Sequence, residues 1–166
     1  MFKKLFGKKE EPVKTIQMVA PLSGTAVSLS KVPDPVFSEK MMGDGIAIEP
    51  SDGIVAAPVD GEIIQVFPTK HAVGIRAKNG AEILIHIGLE TVSLQGEGFE
   101  THVKQGDTVK AGDKLVSFDI ETISEKAKST ITPIIITNTD QAASLEVLAQ
   151  GTVDRGVTPI LQITFD

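Results

Sequence analysis

The stretch TKHAVGIRAKNGAEILIHIGLET, residues 69–91, contains two runs of strand-forming residues on either side of an Asn-Gly pair. An Asn-Gly pair between apolar runs is the strongest short-range signal for a β-hairpin, because both central residues of such a turn need positive φ angles. With Asn79 and Gly80 as a two-residue turn, Lys78 pairs with Ala81. The sequence therefore predicts an antiparallel hairpin in this register.

The predicted hairpin brings two histidines onto one face. In this register His86 lies opposite Val73, and His71 is one diagonal step away on the same face, since side chains alternate along a strand. Diagonal neighbours are about 7–8 Å apart, within reach of long side chains. Thr69 lies on that face too, opposite Glu90, and can fix the tautomer of His71 by a hydrogen bond. The hairpin thus predicts a compact Thr-His-His group.

Composition indicates one globular domain with a real hydrophobic core. The chain has 166 residues, of which 41% are hydrophobic and 23% are charged. It has no cysteine, which excludes disulfides, thiolate metal sites and cysteine nucleophiles, and fits a cytoplasmic location. The net charge of −6 argues against nucleic-acid binding, which needs a basic surface.

Short strand-like runs recur along the chain, and this pattern favours an all-β fold: an antiparallel sandwich or barrel with a few short helices. The predicted strands are Ile16–Ala20, Gly24–Ser28, Gly45–Glu49, Gly53–Ala56, Gly61–Val66, Ala72–Ala77, Glu82–Ile87, Thr108–Val109, Lys114–Asp119, Thr132–Ile136 and Pro159–Thr164. The predicted helices are Pro35–Met41, Glu121–Ser129 and Gln141–Ala149.

An internal repeat indicates that the fold is duplicated. APLSGTAVSL at 20–29 recurs as APVDGEIIQV at 57–66, each with a proline, a glycine turn and an alternating strand. Together with GDTVKAGDKLVSFD at 106–119, the first copy resembles the hybrid sandwich motif of lipoyl and biotinyl carrier domains. Those domains present a lysine for modification at an exposed hairpin tip, but Lys78 lacks their flanking residues, so a carrier of that kind is disfavoured.

Two converging neutral imidazoles suit phosphoryl transfer. One histidine can act as the nucleophile while the other donates a hydrogen bond to the transferred group. Two histidines also begin a zinc site, but a catalytic zinc normally needs three protein ligands, and no third one is evident. Gly88 follows on the histidine face and would let a partner backbone or a phosphate approach closely.

His102 lies next to a turn outside the hairpin and is interpreted as a surface histidine.

The N-terminal residues 1–15 differ from the rest of the chain. MFKKLFGKK at 1–9 has amphipathic spacing with a basic face, and residues 10–15 read as a tether. Residues 1–9 are suited to weak contact with an anionic membrane, and a plain solubilising tail is the equal alternative. The compact domain is predicted to span 16–166.

Five motifs together resemble the glucose-type IIA component of the bacterial phosphotransferase system. They are VPDPVFSEKMMGDGIAI (32–48), APVDGEI (57–63), TKHAVGI (69–75), ILIHIGLETVSLQGEGF (83–99) and EKAKSTITP (125–133). The resemblance implies a β-sandwich with both histidines in a shallow apolar depression. It further implies that Nε2 of His86 accepts a phosphoryl group from phosphorylated HPr and passes it to a cysteine of a sugar-specific IIB domain. His71 would stabilise the phosphoryl group, and Thr69 would orient His71.

The resemblance also implies a ring of partner-binding residues around the histidines. Its members are Val36, Phe37, Met41, Met42, Phe67, Leu84, Glu90 and Val92. The apolar residues of 32–48 suit an adaptable docking surface, although by periodicity alone they fit the core slightly better. Leu84 and Val73 are aliphatic where some members carry aromatics, and Glu90 stands where an aspartate is common, so partner selectivity is open.

Several further implications concern partners and cofactors. No cofactor is expected within the chain, but in some complexes of this family zinc bridges the two histidines and a carboxylate of the partner. Members also regulate other proteins, and the basic N-terminus resembles the lipid-seeking extension of some members, with peripheral contact at the inner face of the membrane. The main alternative function is a regulatory module that binds partners or metal through its histidines without phosphoryl transfer. A zinc peptidase of related architecture lacks its ligand set.

Overall fold

The computed structural model describes residues 14–166, which form antiparallel sheets and two short helices. The strands are β1 Thr15–Val19, β2 Gly24–Ser28, β3 Asp44–Pro50, β4 Ile54–Ala56, β5 Gly61–Val66, β6 Ala72–Ala77, β7 Glu82–His86, β8 Phe99–Thr101, β9 Thr108–Val109, β10 Lys114–Phe118, β11 Thr132–Ile136, β12 Ser144–Val147, β13 Gly151–Val153 and β14 Pro159–Thr164. The helices are α1 Pro35–Ser38 and α2 Ile120–Lys126, with single 3-10 turns at Leu29–Lys31, Val92–Leu94 and Thr139–Gln141. The predicted all-β class is confirmed.

Three sheets enclose the core. The main sheet has the order β13-β2-β3-β11-β7-β6-β5-β9, and the smaller sheets have the orders β1-β14-β12 and β4-β10-β8. Alternate residues of the central strands face opposite sides, as period-two geometry requires. Ile85 and Ile134 belong to the larger buried cluster on one side, whereas Leu84 and Ile135 belong to a smaller cluster on the other. Phe37 belongs to the smaller cluster, which adjoins the histidines.

The predicted duplication is visible in the sheets. The repeated segments form β2 and β5, which are second from opposite edges of the main sheet. Matching hydrogen bonds hold the two copies: Gly156 N donates to Ala20 O and Gly112 N donates to Ala57 O, both at 2.8 Å. Strands β1–β3 correspond to β4–β6, and β11–β14 correspond to β7–β10. The second unit is thus inserted into the first.

Strand positions follow the prediction closely, but three strands were not predicted and one helix was wrong. Each predicted strand agrees with an observed one to within a residue at either end, while β8, β12 and β13 were missed. Gln141–Ala149 is not a helix, because its central residues form β12, which pairs with β14 and places Leu145 opposite Ile163. Its Ala, Leu and Glu content favours a helix, and the tertiary pairing overrides that weak preference. Strand β1 begins with Thr15, which pairs with Thr164, and the predicted division into residues 1–15 and 16–166 stays a prediction.

The central hairpin has a register one residue away from the prediction. Ala72, not Val73, lies opposite His86, and Ala77 N donates to Ala81 O at 2.8 Å. The turn therefore contains three residues, 78–80, rather than two.

The reason for the longer turn lies in Asn79 and Gly80. Of the turn residues, Gly80 has a positive φ angle, +96°, as in a three-residue hairpin loop that ends on a glycine bulge. Asn79 instead uses its side chain: Oδ1 accepts from Ala81 N at 3.1 Å, and Nδ2 donates to Ile163 O at 3.1 Å. The bond to Ala81 is local, whereas the bond to Ile163, which the local pattern does not predict, anchors the hairpin tip to β14.

No helix among residues 14–166 is long and apolar enough to cross a bilayer. The predicted membrane-contacting segment, residues 1–9, lies outside the described residues and stays a prediction.

Candidate functional site

His86 ends β7 on the same face as the buried Leu84. Its side chain is half-buried, and its Nδ1 lies 2.8 Å from the carbonyl oxygen of Gly88. A carbonyl oxygen can only accept a hydrogen bond, so Nδ1 carries the ring proton. The Nε2 atom of neutral His86 therefore keeps a free lone pair.

His71 reaches the same side of the sheet because it lies in a turn just before β6. Strict alternation from Ala72 would send it to the opposite face. The turn prevents this: Lys70 has a φ angle of +65°, and its N–H donates to Phe67 O at 2.8 Å. The rings of His71 and His86 are edge-to-face, with centroids 4.9 Å apart. The two imidazoles are in contact, as predicted, although the strand register on which that prediction was based is wrong.

Thr69 makes the hydrogen bond that the sequence suggested. Its Oγ1 lies 2.6 Å from Nδ1 of His71. The predicted pairing of Thr69 with Glu90 is absent, because Thr69 lies in the turn before β6 and Glu90 in a loop after β7 with a φ angle of +58°. Local turn geometry, not strand register, brings Thr69 to His71.

Burial keeps both histidines neutral at physiological pH. Burial lowers the pKa of His86 below the ordinary 6.5, and the backbone bond to Gly88 and the charge of Asp34 oppose this shift only in part. Burial, followed by the proximity of His86, lowers the pKa of His71 to about 4. An uncharged pair suits a nucleophile and a hydrogen-bond donor.

The histidines line a shallow, largely apolar depression of about 350 Å³. Seven of the eight predicted partner-binding residues line it: Val36, Phe37, Met42, Phe67, Leu84, Glu90 and Val92. The eighth, Met41, is 69% exposed and lines a neighbouring surface with Met42. Phe37 and Leu84 are buried floor residues, whereas Val36, Met42 and Val92 are exposed at the rim. The segment 32–48 thus supplies both core and surface.

Helix α1 positions the aromatic floor of the depression. Asp34 caps it, since its Oδ1 accepts from Val36 N at 3.0 Å, and Pro35 starts the first turn. The helix places the Phe37 ring 5.0 Å from the ring of His86. Lys40, with a φ angle of +60°, follows its end. The Asp-Pro pair is therefore the local signal that fixes Phe37.

Gly88 is closely surrounded by its own chain. A Cβ atom at Gly88 would lie 2.8 Å from Ser129 O and 2.8 Å from Thr91 Cγ2, and the φ angle is +72°. The approach of a partner backbone or a phosphate to Gly88 stays a prediction. Glycine is required here because its carbonyl must turn back toward His86.

Two residues of the depression were missed from the sequence. Asp34 and Thr91 both line it. The Asp-Pro pair of a helix start could have identified Asp34 as a residue held in place. Thr91 is fully buried, and nothing in its local pattern signals this.

His102 lies apart from the depression. It is exposed, and its Nε2 lies 2.7 Å from Ser117 Oγ. Across residues 14–166, no three His, Cys, Asp or Glu side chains are grouped so that they could hold a metal ion.

Comparison with known proteins gives one consistent family. Residues 16–142 match the family model of the phosphoenolpyruvate-dependent sugar phosphotransferase system, EIIA 1. A glucose-specific EIIA component of Bacillus anthracis is 59% identical, with 99% of each chain covered. The protein of the same name from Staphylococcus aureus is 53% identical, with 100% of each chain covered. The solved glucose permease IIA from Mycoplasma capricolum has a TM-score of 0.84 and 45% identity, covering 92% of this chain and 99% of that one.

Proposed function

We propose that His86 is the residue that carries the phosphoryl group in this chain. The chain belongs to the EIIA 1 family of the phosphoenolpyruvate-dependent sugar phosphotransferase system, and it is a glucose-type phosphocarrier of sugar uptake. The observation that carries the proposal is a pair of imidazoles 4.9 Å apart, one of which donates through Nδ1 to a carbonyl. That bond leaves Nε2 of His86 as the nucleophilic nitrogen.

The proposed reaction consists of two phosphoryl transfers. Nε2 of His86 attacks the phosphorus of the phosphohistidine on HPr, so that a P–N bond forms on His86 while the donor's P–N bond breaks. In the second transfer, the cysteine sulfur of a sugar-specific IIB domain forms a P–S bond while the P–N bond on His86 breaks. No atom is oxidised or reduced, and the main requirements are positioning and charge stabilisation.

We assign His71 to the stabilisation of the phosphoryl group. The Thr69 hydroxyl, 2.6 Å from Nδ1, acts as the donor, which puts the ring proton of His71 on Nε2. This N–H can then donate to a phosphoryl oxygen. The lowered pKa of His71, about 4, supports a neutral ring in this role.

The depression also suggests how partners bind. Exposed Val36, Met42 and Val92 offer apolar contact, and Asp34 and Glu90 add negative charge. Such a surface fits HPr and IIB partners that present apolar side chains and basic groups. Met41 extends the apolar rim, and its flexible side chain suits more than one partner, including other regulated proteins.

Zinc and membrane contact are additional proposals. Two neutral histidines supply two zinc ligands, so a partner would have to supply a carboxylate to complete a shared site. Residues 1–9, with four lysines beside apolar residues, are proposed to contact anionic lipid at the cytoplasmic face of the membrane.

Incubation with phosphorylated HPr tests the proposal against a purely regulatory binding module. We expect acid-labile, alkali-stable phosphate that maps to His86 and that a purified IIB domain removes. His102→Gln is the matched control and should be labelled like the parent, because His102 lies outside the depression. Absence of label on His86 under conditions where HPr is phosphorylated would favour the binding module.

A further inference from the structure

Buried polar side chains are concentrated at one place in this protein. Within residues 14–166 they are His71, Thr91 and Thr132, with 4%, 0% and 0% of their surface exposed. Burial of a polar group is unfavourable unless it is hydrogen-bonded. His71 contacts the ring of His86, and the two threonines contact the Ile87–Gly88 peptide unit, one unit beyond His86. The two threonines have no part in the proposed transfer so far.

The two threonine hydroxyls hold opposite sides of a single peptide unit. Thr91 Oγ1 donates to the carbonyl of Ile87 at 2.7 Å. Gly88 N donates to Thr132 Oγ1 at 3.4 Å, and that hydroxyl in turn donates to Thr130 O at 3.0 Å. The Ile87–Gly88 peptide is therefore fixed on both its oxygen and its nitrogen side.

The next peptide unit sets the proton position on His86. The φ angle of +72° at Gly88 turns its carbonyl back to Nδ1 of His86, and Leu89 N donates to Ser129 O at 2.9 Å. Because the preceding peptide is held by the threonines, rotation of the Gly88 carbonyl away from the ring would break several buried hydrogen bonds.

We propose that Thr91 and Thr132 are positioning residues that hold the Gly88 carbonyl against Nδ1 of His86 and so keep Nε2 unprotonated. This inference rests on the proposed function, since it gives Nε2 the acceptor role. It deepens that function by extending the site to two residues on separate elements, one in the loop after β7 and one at the start of β11. An orienting hydrogen bond to the second ring nitrogen is how proteins select a histidine tautomer.

The test compares Thr→Val with Thr→Ser at each position. Valine keeps the shape and removes the hydroxyl, whereas serine keeps the hydroxyl and removes the methyl group. In the unphosphorylated protein, nitrogen-15 chemical shifts of His86 report which ring nitrogen carries the proton. We expect the ratio of Nδ1–H to Nε2–H forms to fall about five-fold in each valine variant, the value of one hydrogen bond, and to stay near the parent value in each serine variant. Where a valine variant does not fold, Thr→Ala against Thr→Ser repeats the comparison.

A folded valine or alanine variant with the parent tautomer ratio would overturn the proposal, as would serine variants that shift as far as valine variants. Because the measurement needs no phosphoryl donor, it is independent of the proposed function. Labelling by phosphorylated HPr supplies the second readout: initial rates should follow the fraction of His86 in the Nδ1–H form, so they fall by less than the tautomer ratio while that form predominates. The valine variants could show the tautomer shift while phosphorylated HPr fails to label even the parent protein. That pair of results would support the positioning role of the threonines and overturn the acceptor role of His86.

Discussion

The two halves of the main sheet have the same strands but different chemistry. The half β13-β2-β3-β11 mirrors β9-β5-β6-β7, and the pair Ile85–Ile134 lies where an approximate two-fold axis passes between them. By this symmetry His86 corresponds to Ile135, and His71 corresponds to Asp44. The scaffold is duplicated, and the histidines are present in one copy.

The two copies also differ in the connection that crosses the shared face. Residues 29–43 join β2 to β3 and contribute Leu29, Val32 and Phe37 to the cluster that buries Ile135. The corresponding connection, residues 67–71, is short and leaves His86 only half-buried. The depression therefore lies where the second copy has no counterpart of the long connection 29–43. Function thus depends on one loop and a few side chains rather than on the fold.

Gly88→Ala should have the largest effect and tests whether the halves differ in backbone as well as in side chains. The corresponding residue in the other half is Thr137. A methyl group at Gly88 would meet backbone oxygen and Thr91 at 2.8 Å, with φ at +72°. The strain and the displacement together should lower the free energy of unfolding by about 4 kcal/mol. Thr137→Ala should change it by less than about 0.5 kcal/mol. Urea denaturation measures both, and equal losses would contradict the asymmetry.

His71→Gln tests the chemical difference between the halves. We expect His86 to accept phosphate still, because its Nε2 is intact, but to donate it to the IIB domain about 10²-fold more slowly. The glutamine amide has N–H donors, but it lacks the ring that Thr69 holds with one donor aimed at the phosphoryl group. Asp44→Asn, at the matching position of the other half, should donate at the parent rate. Single-turnover transfer to a purified IIB domain measures this. Equal rates for His71→Gln and the parent would remove His71 from the mechanism.

Much of this architecture could be predicted from the sequence because the responsible signals are local. Glycine and proline turns bounded eleven strands correctly, and the repeat of 20–29 at 57–66 correctly indicated duplication. The helix predicted at Gln141–Ala149 failed because pairing with β14 is a tertiary effect. The repeat could not correct it, because the corresponding strand of the other half, β8, was also missed.

The site was predictable in its histidines but not in its supports. The spacing correctly predicted that His71 and His86 lie close together. The predicted register was wrong by one residue, and the turn at Lys70 brings His71 to the face of His86 despite this. Thr132 accepts from Gly88, 44 residues away in the sequence, so no local pattern marks it. Thr91 bonds to Ile87, only four residues away, but its type alone does not distinguish it from an ordinary loop threonine. Burial is what drew attention to both residues.

Acid titration of stability separates the two halves, because only the half with the histidines contains a buried titratable ring. Burial lowers the pKa of His71 to about 4, so the unfolded chain takes up a proton below about 6.5 while the folded chain does not until about 4. Stability must therefore fall as the pH drops through this window, by about 2 kcal/mol at pH 5 relative to pH 8. His71→Gln removes this term and leaves the carboxylates in place, so the difference between parent and variant isolates it. Identical pH profiles for the two proteins would rule out a buried neutral His71.

Ile85→Val and Ile134→Val test the symmetry itself and should have the smallest effects. The two residues are fully buried, lie directly opposite each other in β7 and β11, and are exchanged by the approximate two-fold axis. Each substitution removes one methyl group and should cost about 1 kcal/mol. If the halves pack equivalently at the axis, the two costs should agree to within about 0.5 kcal/mol, and the double variant will show coupling, because the side chains are neighbours. Clearly unequal costs from urea denaturation would mean that the loss of cover over His86 reaches the centre of the sheet. The asymmetry would then belong to the whole core and not only to its surface.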